Sequence, residues 1–192
     1  MTYLSDIDPD FARINAAYGP PPLWARLPGF PTLVRIILEQ QVSLASAGAA
    51  FSKLEGAIGA VIPATFLTLD DDELKKIGFS RQKAGYCRGL AIAIIENRID
   101  LAALESMDDA SARSALMQIK GIGPWTADIY LLMALLRPDI WPGGDLALAT
   151  AYQSLKGLAT RPDVDELERI SQAWRPWRAV SARLLWHYYL SQ

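Results

Sequence analysis

Two short segments carry the residues best suited to chemistry. One is IKGIGPWTADIY at positions 119–130; the other is WPGGDLALATAY at 141–152, whose lone acid is Asp145. Glycine tolerates positive φ and leaves backbone N–H groups unshielded. Gly121 and Gly123 around Ile122 therefore read as a tight turn between two helices, anchored in the core by Ile122. Pro124 suits the first position of the second helix, where its missing N–H costs nothing. The turn's N–H groups then lie at a helix N-terminus, where the dipole favours an anion. The natural ligand is a nucleic-acid phosphate held without reading sequence, with Lys120 adding a charge contact. Asp145, at the start of the next helix, is a carboxylate aimed at whatever the turn holds. The plainer readings are an ordinary helix–helix turn and an aspartate that only caps a helix. Capping and catalysis are compatible.

The elements that must position these residues read as helices throughout. Apolar residues recur at helical spacing along almost the whole chain, with turns marked by Gly, Pro and Asp. Helices are expected at about 9–18, 32–41 and 43–58, briefly from Pro63, then from Asp70 or Asp71 to Lys76. Ser80 caps a long helix and Asp108 or Asp109 caps another before the glycine turn. Later helices are expected at about 145–155, 164–173 and 176–190. No sheet, repeat or low-complexity tract is evident, so the fold class is all-α.

Composition narrows the function. The 192 residues are 51% hydrophobic, which permits a substantial core and argues against disorder. The apolar runs are too short to span a bilayer. The N-terminus MTYLSDIDPDF lacks the order of a secretory signal, so a cytoplasmic protein is expected. One cysteine, Cys87, excludes a disulfide framework, a thiolate zinc site and a four-cysteine iron–sulfur cluster, and a single histidine, His187, argues against histidine-based metal sites and Ser/His/Asp triads. The net charge of −2 lacks the basic surplus usual in nucleic-acid binders, so any DNA contact must come from a local patch. The acids cluster instead at expected helix starts.

At this point a resemblance becomes specific. GIGPWTADIYLL followed by WPGGDLAL resembles the Gly/Pro-rich loop and aspartate of the helix-hairpin-helix DNA glycosylase superfamily. LVRIILEQQVSLASA, IGFSRQKAGYCRGLA and AWRPWRAVSARLLWHYYL are similar to segments of its 3-methyladenine DNA glycosylase II branch. The matches run from about Phe30 to the C-terminus. The resemblance implies two helical lobes with the active site in the cleft between them, one of about 1–29 plus 138–192 and the other of about 30–137 with the hairpin at 118–126. With so few residues upstream of Phe30, a minimal form without the α/β domain that some relatives carry is expected.

It also implies an enzyme that flips an alkylated base, of 3-methyladenine or 7-methylguanine type, from duplex DNA and hydrolyses its N-glycosidic bond. Asp145 matches the catalytic aspartate. A fixed carboxylate stabilises an oxocarbenium-like sugar and activates water, and a cationic alkylated base needs no second acid to leave. Relatives that also cut the strand carry a lysine where this chain has Trp125, so no lyase activity is expected. Trp125 and Trp186 match aromatic positions of the base pocket, and Ile129 stands where some relatives have tyrosine. A cationic base stacked on indole gains roughly 0.5–2 kcal/mol. Trp174 and Trp177 are expected to pack instead, and His187 is expected to be packed rather than catalytic.

The remaining implied contacts are to DNA. Gln41, in the turn Gln40–Ser43, occupies the place of a plug that fills the vacated duplex; a polar helix end capped by Ser43 is the alternative. Lys120, Gly121, Ile122, Gly123, Arg81 and Lys83 complete the expected contacts, with a solvated face as the alternative for Arg81 and Lys83. No cofactor is required, though backbone carbonyls of Met117, Ile119 and Ile122 match a Na+ or K+ site of the superfamily. The expected partner is double-stranded DNA bearing alkylated bases, met by a monomer without an obligate protein partner, on the nucleoid if the source is bacterial. Two rivals remain: a non-catalytic hairpin module that only binds DNA, and a glycosylase for oxidised or mismatched bases.

Overall fold

The computed structural model describes residues 2–192, and among them there are twelve α-helices, two 3-10 turns and no strand. The chain divides into two compact units, one continuous, Arg26–Leu135, and one made of Met1–Ala25 with Leu136–Gln192.

The continuous unit is organised around α3 (Phe30–Glu39). Its sequence FPTLVRIILE is apolar nearly all round, the pattern of a helix enclosed by protein. Leu33, Val34, Ile36 and Ile37 are fully buried. Three helices pack on it: α4 (Leu44–Ile58), α7 (Arg81–Ile95) and α9 (Pro124–Met133). Around them, α5 (Pro63–Phe66) lies on α7, α6 (Asp71–Ile77) on α4 and α7, and α8 (Asp109–Met117) on α9. The starts are written locally. Ser43, Asp70, Ser80 and Asp108 each accept a backbone N–H three residues on, at 3.2, 2.8, 3.2 and 2.9 Å, the N-cap geometry.

Residues 26–29 are tied to this unit. The Arg26 N–H donates to the Met133 carbonyl at 2.9 Å, and its guanidinium grips both oxygens of buried Glu39 at 2.9 Å. A buried carboxylate needs such a bidentate partner to offset desolvation. The Gly29 N–H donates to the Tyr130 hydroxyl at 2.8 Å.

The second unit holds α1 (Thr2–Ile7), α2 (Pro9–Tyr18), α10 (Leu146–Lys156), α11 (Val164–Ser171) and α12 (Arg178–Leu190). α12 packs on α10 and α2, and α1 packs on α2. Trp174 lies at the centre, 2% exposed, with Phe11 edge-on at 5.2 Å and Trp141 tilted at 5.4 Å. Asp139 accepts from Arg175 and Arg178, each at 3.0 Å, fixing the approach to α12.

The differences from expectation lie at helix ends. α1 was not anticipated; buried Leu4 holds it, and the Asp8 N–H closes it on the Leu4 carbonyl before Asp8 caps α2. α3 stops at Glu39 rather than Gln41, because Gln40 turns extended and Gln41 takes φ 56°. α12 starts at Arg178 rather than Pro176. Trp177, expected to pack, is 42% exposed.

Candidate functional site

The glycine turn is the tip of a helix-hairpin-helix in the continuous unit. α8 ends with Gln118 still in helical geometry, the Ile119 N–H bonds the Leu116 carbonyl, and the Ile122 N–H bonds the Ile119 carbonyl at 3.0 Å. Ile122 is 3% exposed, which pins the turn from below. Gly121 takes φ 94°, and a Cβ there would overlap the Tyr86 ring. Two constraints thus require glycine at this position: the left-handed backbone and the ring of α7 lying against it. Gly123 caps α9 from extended backbone and accepts the Ala127 N–H at 3.0 Å. Lys120, Gly123 and Pro124 are exposed, so the tip is open to solvent.

The Gln40–Ser43 turn is attached to that hairpin. Gln40 Nε2 donates to the Gly121 carbonyl and to Thr126 Oγ1, both at 2.9 Å. Its neighbour Gln41 is exposed and left-handed, and Ser43 caps α4 from an exposed position. Lys83, expected at a phosphate, does something else. Its ammonium donates to the carbonyls of Leu38 and Gln40 at 2.7 and 2.8 Å, closing the C-terminus of α3. The reason is geometric: residue 83 faces α3 rather than solvent, and a lysine suits the unpaired carbonyls of a helix end. Burial pushes its ammonium below the usual lysine range, and the same burial pushes the neighbouring Cys87 thiol up. Arg81, two residues earlier, is exposed.

Asp145 belongs to the second unit. It is the N-cap of α10, and its Oδ1 accepts the Leu148 N–H at 3.0 Å. The same oxygen accepts the indole N–H of Trp186 from α12 at 3.2 Å. Two donors from different helices therefore set the plane of this half-buried carboxylate. Trp186, expected as a stacking surface, is 8% exposed and has Trp24 edge-on at 6.3 Å. Its polar edge faces Asp145, so it serves as a support of the carboxylate and offers little open ring for a base. Ile129 is likewise 2% exposed, a core residue of α9 with no free face for a pocket. Trp125 is half-buried at the second position of α9. His187 bonds the Tyr18 carbonyl at 3.0 Å and packs edge-on against Tyr18 and Trp24.

The structure therefore brings the Gln41 turn, the hairpin and α7 together in one unit, and Asp145 with Trp186 in the other. Gln40, Tyr86 and Thr126 were not singled out from sequence. Periodicity carries no signal that separates Gln40 from Gln41, because α3 is apolar nearly all round: 34, 37 and 38, the stripe that leads to 41, are as buried as 33, 36 and 37, the stripe that leads to 40.

Comparison with known proteins identifies the family. Residues 34–176 match the HhH-GPD superfamily of base excision DNA repair proteins. The putative DNA-3-methyladenine glycosylase YfjP of Bacillus subtilis is 29% identical over 80% of this chain, which spans 56% of that protein. The alkylbase DNA glycosidase-like protein mag2 of Schizosaccharomyces pombe is 26% identical over 96% of this chain and 90% of its own length. Among solved structures, the 3-methyladenine DNA glycosylase Mag1 of the same yeast, in complex with abasic DNA, superposes with a TM-score of 0.88 at 26% identity, covering 96% of this chain and 93% of that one.

Proposed function

The chain belongs to the HhH-GPD superfamily of base excision DNA repair proteins, and from that premise we propose that it is a monofunctional DNA glycosylase for alkylated bases. Its substrate is double-stranded DNA carrying lesions of the 3-methyladenine and 7-methylguanine type. The observation that carries the reading is Asp145, a carboxylate that follows the glycine hairpin in sequence and accepts the Leu148 and Trp186 N–H groups. The names of YfjP, mag2 and Mag1 support the alkylated substrate class.

The chemistry follows from the groups present. The hairpin tip and the Gln41 turn hold the backbone while the damaged nucleotide leaves the stack. The bond from the sugar carbon to the base nitrogen breaks, and the cationic base departs with the electron pair as a neutral leaving group. Asp145 stabilises the positive sugar and directs water, whose oxygen forms the new bond and whose proton passes to the carboxylate or to solvent. Trp125 stands at the position where a Schiff-base mechanism needs an amine, so the strand stays intact. A Na+ or K+ on the Met117, Ile119 and Ile122 carbonyls is part of the same proposal; the Ile119 oxygen already accepts one N–H, and a carbonyl oxygen carries a second lone pair. No helix among the described residues is long and apolar enough to cross a membrane, which fits work on DNA in the cytoplasm.

The test is one incubation with methylated, deaminated and oxidised duplexes, followed by chromatography of the released bases. Free 3-methyladenine or 7-methylguanine without strand cleavage is expected. Release confined to oxidised or deaminated bases would move the specificity, and binding without any release would leave only a hairpin module.

Trp186 supplies a second check. Trp186→Phe removes the indole N–H from Asp145 and keeps a ring of similar shape. If the indole mainly positions the carboxylate, kcat falls about tenfold, roughly the 1.4 kcal/mol of one hydrogen bond to a charged group, while KM holds. A rise in KM with kcat intact would show a stacking role instead.

A further inference from the structure

We propose that Gln40, Lys83 and Tyr86 form a brace that locks the Gln41 turn and the glycine hairpin into one fixed registration, with Gln40 as its positioning residue. The inference rests on the glycosylase reading above and assigns work to three residues that touch neither base nor sugar in that mechanism.

The brace has three contacts. Gln40 uses both hydrogens of its amide nitrogen, one on the Gly121 carbonyl and one on Thr126 Oγ1, each at 2.9 Å. The carbonyl can only accept, so the amide orientation is dictated by its partner. Lys83 donates to the carbonyls of Leu38 and Gln40 at 2.7 and 2.8 Å, fixing the backbone from which the Gln40 side chain departs. Tyr86 closes the triangle: its ring seats against Gly121, and its hydroxyl accepts from Gln82 Nε2 at 2.6 Å. Residues 83 and 86 are neighbours on one face of α7. One rigid helix thus touches the last turn of α3 through one side chain and the hairpin tip through the next.

The consequence is a fixed spacing between two DNA-facing loops. The Gln41 turn is exposed with a left-handed residue at its tip, and the hairpin tip is exposed with another. Buried Ile122 seats the hairpin and the Ser43 cap seats the turn, and Gln40 is the side chain that ties one to the other. Coupled through Gln40, they present plug and phosphate grip at one separation, so that inserting the plug sets the backbone position at the hairpin. Misplacement of about 1 Å between such elements costs about a hundredfold in rate.

Gln40→Met keeps the length and removes both hydrogen bonds. In the free protein, amide hydrogen exchange at Ile122 and Ala127, whose N–H groups bond within the hairpin, is expected to speed up together with Ser46 and Ala47 at the turn. Base release from methylated duplex is expected to fall about tenfold or more, and the loss should be less than additive with Gln41→Ala. Unchanged exchange at the hairpin, or a full loss that adds independently to that of Gln41→Ala, would overturn the brace. Lys83→Met attacks the same coupling from the α7 side and should reproduce the exchange pattern if Gln40→Met does not fold. If the unaltered chain released no methylated base, the glycosylase reading would fall, and the exchange arm would still decide whether the brace exists.

Discussion

Asp145→Asn is expected to yield a folded protein that still binds duplex DNA but releases methylated bases about 10²- to 10³-fold more slowly, the scale of losing one preorganised electrostatic contact. Two described contacts of this carboxylate survive the substitution. Asparagine caps helices as well as aspartate does, so the Leu148 N–H keeps an acceptor and α10 keeps its start. The amide oxygen can also accept the Trp186 indole N–H. The negative charge, which opposes the cation that develops on the sugar, is lost. Asp145→Ala would confound the measurement, because it also removes the cap at a cost of about 1 kcal/mol. Single-turnover release from a methylated duplex, set beside DNA affinity by anisotropy, separates chemistry from binding. An Asn variant that releases bases at the original rate would remove Asp145 from the mechanism.

The legible part of this protein was the part written in local chemistry. Ser43, Ser80 and Asp145 cap the helices they were expected to start, Asp70 and Asp108 prove to be the caps in the pairs Asp70/Asp71 and Asp108/Asp109, and each accepts the N–H three residues on. Pro124 opens α9 for an equally local reason. Side-chain direction was less legible. Lys83 reads as a basic residue near a DNA-facing helix start, yet its ammonium is spent on carbonyls of α3. Trp186 reads as an aromatic surface, yet its burial leaves the N–H as the working group. In both cases the decision was made by a segment more than forty positions away, where periodicity carries no information. Gln40 and Gln41 show the same limit within one dipeptide: just past the end of α3 at Glu39, Gln40 turns to the hairpin while Gln41 takes a left-handed backbone and stays exposed, and such a boundary is one that sequence locates only to within a residue or two.

Gly121→Ala should damage the protein in the opposite way, lowering DNA affinity and base release together. Two costs act at once. The backbone holds φ 94° at this residue, a region where a Cβ costs roughly 1–2 kcal/mol. The new methyl group would also overlap the Tyr86 ring, which is itself tied through its hydroxyl to Gln82. The tip must therefore shift away from α7, and the Gly121 carbonyl shifts with it, releasing Gln40. A loss of about tenfold in affinity for an abasic duplex corresponds to about 1.4 kcal/mol, within what these costs supply. The two contributions are separable. Tyr86→Ala in the Gly121→Ala background removes the overlap and leaves the backbone strain, so affinity should recover in part and not in full. Recovery to the original affinity would assign the whole defect to the ring, and a Gly121→Ala protein that binds as tightly as the unaltered chain would mean that this turn does not grip the DNA.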